Sequence, residues 1–290
     1  MHPILFEIGP IKIFTYGFLL ALGFLSAIFV AGREAKRLGI SPGKFFDLCF
    51  YIILAALVGS RLVYVLLDLR TFIANPLKIF ALWEGGLVFH GGVILALLVA
   101  FFYMRIHSLP WRTTLDALGV GLPVGQFFGR LGCFMAGCCW GSPADLPWSV
   151  VFSNPDTLCP LREALHPAQL YEALLALGVF GFLYWFRTRK RFDGQVILMY
   201  FCLAGLVRFS VEFFRSPLDY RGPVFFGWMP LTQLMALCLF LVCGGLLLAL
   251  GRQVQSLDPG GLRPGDAARG RHLGVAVEGR LDLVLRVETE

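Results

Sequence analysis

The sequence predicts an all-α polytopic membrane protein with seven transmembrane helices and a small irregular cap at one surface. Of its 290 residues, 57% are hydrophobic and 15% charged, whereas soluble domains carry roughly 25% charged residues. Seven apolar runs, at 13–32, 45–67, 87–104, 114–134, 168–186, 195–214 and 229–250, reach the roughly 20 residues a helix needs to cross hydrocarbon. Lysine and arginine gather in alternate connections, which sets a direction of insertion.

Taken in order, the first run is followed by Arg33, Lys36 and Arg37. A cleavable signal peptide has its basic residues in front, so this run is expected to stay as a helix. Lys44 shares that first inner connection, Arg105 and Arg112 lie in the next, then Arg187, Arg189, Lys190 and Arg191, and finally Arg252. The opposite connections are longer and carry fewer basic residues, which puts the N-terminus outside and the C-terminus in the cytosol. Residues 68–86 mix Leu69, Phe72, Ile73 and Phe80 with Asp68, Arg70 and Lys78, a pattern suited to an interfacial arm. Residues 135–167 hold five prolines and are expected to form an outer cap with a short strand at 148–152. The membrane domain thus covers 1–251. Residues 252–290, rich in glycine and arginine without an apolar face, read as a mobile cytosolic tail. The formal charge of +6 is met by basic residues on the cytosolic face and calls for no nucleic acid.

Ionisable and polar residues inside apolar runs are costly and mark function by default. Tyr16, Arg61, His90, Arg130, Arg208, Glu212 and Arg215 all fall toward the outer ends of their predicted helices. Arg208, Glu212 and Arg215 share one helix face through spacings of four and three. The expectation is one polar cavity at headgroup depth in the outer leaflet. Several arginines against one intramembrane glutamate leave positive charge for an anion, and the guanidinium fork suits phosphate oxygens.

The run Gly129–Gly141 (GRLGCFMAGCCWG) joins Arg130 to Cys133, Cys138 and Cys139, with glycines that permit close backbone approach. The cysteine spacing is not that of a usual zinc site. The thiols read as structural or disulfide-bonded, as metal ligands, or as a reactive nucleophile. A membrane thiol, redox or metal-handling protein using these three cysteines is therefore the alternative function.

These residues resemble a known family. Tyr16-Gly17, Gly59-Ser-Arg61-Leu-Val-Tyr64, the stretch from Leu82 to Gly92 around His90, the run Gly129–Gly141, His166–Glu172 and Arg208–Arg215 occur in order, as in the bacterial prolipoprotein diacylglyceryl transferases. The resemblance implies transfer of the diacylglyceryl group of phosphatidylglycerol to the lipobox cysteine of a prolipoprotein signal peptide, forming a thioether and releasing glycerol phosphate. It implies a bacterial inner-membrane location among membrane lipids, an active site facing the periplasm, and neither cofactor nor metal. It implies catalytic roles for His90, Arg130 and Arg208. It also implies substrate-binding matches at Tyr16 and Gly141, beside the cavity residues Arg61, Glu212 and Arg215. The family commonly carries asparagine where this chain has Cys133, an acidic residue at Cys138, and often tyrosine at Ala204.

Overall fold

The structure, a computed structural model, describes residues 2–8, 11–81, 85–216, 224–225 and 229–257. An antiparallel hairpin of β1 (Ile4–Ile8) and β2 (Ile11–Phe14) opens the chain. It leads into α1 (Thr15–Arg37), α2 (Pro42–Leu67), the short α3 (Leu69–Ala74), a single 3-10 turn at Pro76–Phe80, α4 (Phe89–Ile106) and α5 (Trp111–Ala136). Then come the two-residue strands β3 (Val150–Val151) and β4 (Ala164–Leu165), α6 (Ala168–Phe186) and α7 (Gln195–Glu212). The pair β5 (Val224–Phe225) and β6 (Met229–Pro230) precedes α8 (Leu231–Leu257).

Among the described residues, six helices are long and apolar enough to cross a membrane: α1, α2, α4, α6, α7 and α8. The protein is thus a helical, multi-pass membrane protein. The other long helix, α5, lies where the fourth span was expected. Arg112, Asp116, Gln126 and Arg130 interrupt its apolar run, and two of these side chains belong to the polar cluster described below. The N-terminal hairpin was not expected from the sequence. Its β-branched alternation is only a few residues long and merges into the apolar run that follows, where period-two and helical patterns are hard to separate. The expected tail begins late, because α8 continues to Leu257; residues 258–290 lie outside the described residues.

The chain divides into two compact units. In the unit Gly32–Thr114, α2 lies against α4. Gly59 and Gly91 face each other so closely that a Cβ on either would collide with the other's carbonyl oxygen. Small residues at such a crossing let backbones touch and gain dispersion contacts, the chief attraction left between helices in lipid. Ser60, buried beside this crossing, donates its hydroxyl to Ala56 O at 2.6 Å within its own helix.

The other unit is Met1–Ala31 with Leu115–Glu290. Val120, Leu183 and Val196 form a buried core with Val30 and Phe180 packed around it. At one end of this unit, buried Asp116 on α5 accepts backbone N–H bonds from Gly194, Val196 and Ile197 at 2.8–3.1 Å. These are orphan donors at the start of α7, so a side chain from another helix caps α7 where its own N-cap residue, Gly194, has no side chain to do so. Lys190 Nζ lies 2.7 Å from Asp116 Oδ2 and 2.6 Å from Asp193 Oδ1. Burial opposes the Lys190 charge, but the two carboxylates outweigh it and hold the ammonium above its ordinary range. The cap has its own small core of Phe152, Cys159 and Leu165, with Phe134, Trp140 and Val150 against it. The expected strand is present as β3, paired with β4.

Candidate functional site

In the larger unit, the C-terminal ends of α5 and α7 and the N-terminal end of α6 bring their charged residues together. Arg130 on α5 places Nη2 2.8 Å from Glu172 Oε1 on α6. The other oxygen of Glu172 is 3.4 Å from Arg208 Nη1 on α7. Arg208 Nη2 lies 2.8 Å from Glu212 Oε2, and Arg215 Nη1 is 3.8 Å from the same atom. Gln126 Nε2 donates to Glu172 at 3.3 Å, Tyr200 O–H donates to Gln126 Oε1 at 3.4 Å, and Thr232 O–H donates to Glu212 Oε1 at 2.9 Å. The carboxylates are buried (3% and 0% exposed), whereas the side chains of Arg130 and Arg208 retain 22% and 20% exposure. The partly exposed faces of the cluster belong to Arg130 and Arg208. Such a chain is rigid, because each buried carboxylate needs its arginines to offset lost hydration. An anion can add its own hydrogen bonds to the exposed faces.

The end of the Gly129–Gly141 run is sewn to the end of α7. Gly141 pairs with Arg215 in an isolated β-bridge, Ser142 N donates to Phe214 O at 2.9 Å, and Ser216 N donates to Trp140 O at 3.2 Å. On its other side Gly141 lies against His166, whose carbonyl oxygen a Cβ at 141 would strike. Only glycine permits this approach. Tyr16, in the first turn of α1, lies against Gly132, whose added Cβ would sit 3.0 Å from the tyrosine ring. Beside the cluster is an apolar hollow of about 450 Å³ bordered by Trp148, His166, Tyr171, Leu175, Val211 and Phe214.

Four sequence-expected residues, Arg130, Arg208, Glu212 and Arg215, are thus brought into one chain of ion pairs, with Gly141 and Tyr16 beside it. Arg61 and His90 belong to the Gly32–Thr114 unit. Arg61 was expected to offer its charge to an anion. Its guanidinium is instead engaged with the carbonyl oxygens of Lys78, Ile79, Ala81, Gly85 and Gly86 at 2.5–3.2 Å. It also lies over the rings of Tyr64 and Phe72 at 5.4 and 5.5 Å. The physical reason is that the segment after α3 presents several backbone oxygens outside any regular helix or sheet ladder, and a five-donor fork is the side chain able to satisfy many of them. His90 is exposed in the first turn of α4.

Glu172, which joins Arg130 to Arg208, is the member of the cluster that the sequence alone did not place there. It was visible as a carboxylate five residues into an apolar helix, a signal that calls for a cationic partner, but the partners come from α5 and α7. Gln126 and Tyr200 gave no signal of their own.

The cysteines also come together. All eight are free thiols. The Sγ atoms of Cys133, Cys138 and Cys139 lie within 4.8 Å of one another, although their linear spacing argued against a metal. Gly137, at φ +74°, reverses the chain after α5, and Cys139 itself stands at φ 58°. Cys139 lies outside the helices, and hydrogen bonds from the Cys133 and Cys138 thiols hold it well below the ordinary thiol range. Burial opposes that shift and the Arg215 and Arg130 charges add to it.

Comparison with known proteins places the chain in a family. The family described as prolipoprotein diacylglyceryl transferase matches residues 3–250. A phosphatidylglycerol–prolipoprotein diacylglyceryl transferase of Nitratidesulfovibrio vulgaris is 36% identical over 252 residues, covering 86% of this chain and 93% of the relative. That of Pseudomonas putida is 36% identical, covering 86% and 92%. That of Solidesulfovibrio magneticus is 38% identical over 239 residues, covering 81% and 89%. Matched by that family over residues 3–250 and by these relatives at 36–38% identity over most of its length, the chain belongs to the prolipoprotein diacylglyceryl transferase family.

Proposed function

We propose that this protein transfers the diacylglyceryl group of phosphatidylglycerol to the lipobox cysteine of a prolipoprotein signal peptide. The observation that carries the reading is the chain Arg130–Glu172–Arg208–Glu212–Arg215, in which buried carboxylates fix Arg130 and Arg208 while their side chains stay partly exposed. In the reaction, the substrate thiol gives up its proton and its sulfur attacks the glyceryl carbon that bears the phosphate. A C–S bond forms, the C–O bond to phosphate breaks, and glycerol phosphate departs with the bonding electrons. Charge grows on the departing phosphate, where preorganised guanidinium groups stabilise it most. Arg130 and Arg208 are the groups assigned to that oxygen set, since they combine fixed orientation with partial exposure. Glu172 and Glu212 hold them in place, and Arg215 and Gly141 fix the edge of the site.

His90 is assigned as acceptor of the thiol proton, a role imidazole fills near neutral pH. Tyr16 is assigned to the headgroup, and the apolar hollow beside the cluster suits a hydrocarbon segment of either substrate. Arg61 is a positioning residue that holds the arm after α3. Seven spans are assigned by counting α5, with the N-terminus and the cap in the periplasm, the C-terminus in the cytosol, and the whole chain in the bacterial inner membrane. The experiment is to supply this chain to cells depleted of their own transferase and follow lipoprotein mass. The wild-type chain restores the diacylglyceryl mass increment. Arg130→Ala inserts normally and restores none, and full activity in that variant removes Arg130 from the mechanism.

A further inference from the structure

We infer that Cys133, Cys138 and Cys139 form a binding site for one thiophilic d10 cation of the Zn²⁺ or Cu⁺ class, set against the arginine cluster. Three sulfurs within 4.8 Å of one another are near the spacing a shared ion requires. At a Zn–S distance of about 2.3 Å, ligands sit about 3.8–4.0 Å apart, so closure asks for about 1 Å of side-chain movement. No carboxylate or imidazole belongs to the group, and an all-sulfur set selects soft cations over Mg²⁺ or Ca²⁺.

The backbone that carries the thiols is held before any ion arrives. Cys138 N–H donates to Cys133 O at 3.1 Å, closing the turn after α5. Gln169 Nε2, from α6, donates to Cys138 O at 2.8 Å. Cys139 occupies a left-handed backbone position (φ 58°) that a non-glycine residue adopts only when its surroundings impose it. Charge fits as well. Three thiolates around a divalent ion sum to −1, and Arg130 and Arg215 stand beside Cys139, so the loaded site is an anion facing cations. This is an ion site within a transferase, and it involves no redox step.

One consequence rests on the proposed function: the loaded site competes with the lipid phosphate for Arg130 and slows transfer. The test uses the full chain in detergent micelles under reducing conditions. After incubation with Zn²⁺ and desalting, elemental analysis is expected to find about one ion per chain, lost in the triple variant Cys133→Ser, Cys138→Ser, Cys139→Ser. As a check that needs no variant, Zn²⁺ shields Cys138 and Cys139 from N-ethylmaleimide in mass mapping, and a chelator removes the shield. Equal zinc in wild type and variant, or alkylation indifferent to Zn²⁺, overturns the site. Transfer is read separately: a fall of about tenfold or more on zinc loading, reversed by chelation, supports the competition, on the scale of one charge-assisted hydrogen bond. Stoichiometric zinc with unchanged transfer keeps the site and overturns the competition. Zinc-slowed transfer in a chain whose Arg130→Ala variant is fully active leaves the ion site standing and removes the phosphate role of Arg130.

Discussion

Glu172 binds two arginines from two different helices, and its removal is the sharpest test of the cluster as a structural unit. Glu172→Gln keeps the shape but leaves Arg130 and Arg208 facing each other without the shared carboxylate. Breaking a buried pair this way costs about 3–5 kcal/mol, so the variant is expected to lose thermal stability in detergent and most of its transfer activity. An unchanged unfolding midpoint would show that the arginines do not depend on it. Gly141→Ala forces a Cβ onto the His166 carbonyl. It is expected to pull the 140–142 strand away from 214–216 and to abolish transfer while the helices stay inserted, measured by complementation and membrane fractionation. Arg61 separates two roles. If it holds the arm, Arg61→Lys speeds hydrogen exchange at residues 76–81 and leaves KM for the lipid within about twofold. A large rise in KM with exchange unchanged would return Arg61 to the headgroup. Arg61 stood out in the sequence because charge inside apolar runs is rare. Its partners did not, since the five carbonyls around Arg61 lie 17–25 residues downstream in a segment without regular periodicity.

At the scale of elements, the apolar helices were readable from length alone, and their observed bounds overlap the expected spans. α5 is the instructive case. Its polar residues dilute the signal that makes a span recognisable, and they do so because two of them, Gln126 and Arg130, point into the ion-pair chain. The Asp116–Lys190 cap of α7 could not be read, since it joins residues 74 apart. It carries a pH prediction. Lys190 is held above its ordinary value of 10.5 in the folded chain, so its contribution to stability is complete below that value and is lost as pH rises through the folded value. The wild-type unfolding midpoint should therefore fall more steeply in alkaline solution than that of Lys190→Gln, and parallel curves would contradict the cap. The cysteine trio failed to register for a similar reason: a chain reversal at Gly137 brings together thiols whose spacing resembles no metal motif.

For the whole molecule, a membrane-protein composition is combined, among the described residues, with a cluster of ion-paired arginines. A helix bundle in lipid keeps buried charge only where partners or ligands offset it, and here Arg130 and Arg208 are paired with buried carboxylates yet partly exposed. On the proposed function, the exposed faces of Arg130 and Arg208 hold the phosphate of the donor lipid. The most direct measurement is the affinity of the purified chain for phosphatidylglycerol in mixed micelles, compared with that of Arg130→Gln at matched helical content. Loss of one charge-assisted contact is expected to weaken binding by about tenfold or more. Equal affinity in the two proteins, with equal transfer to a lipobox peptide, would contradict the claim.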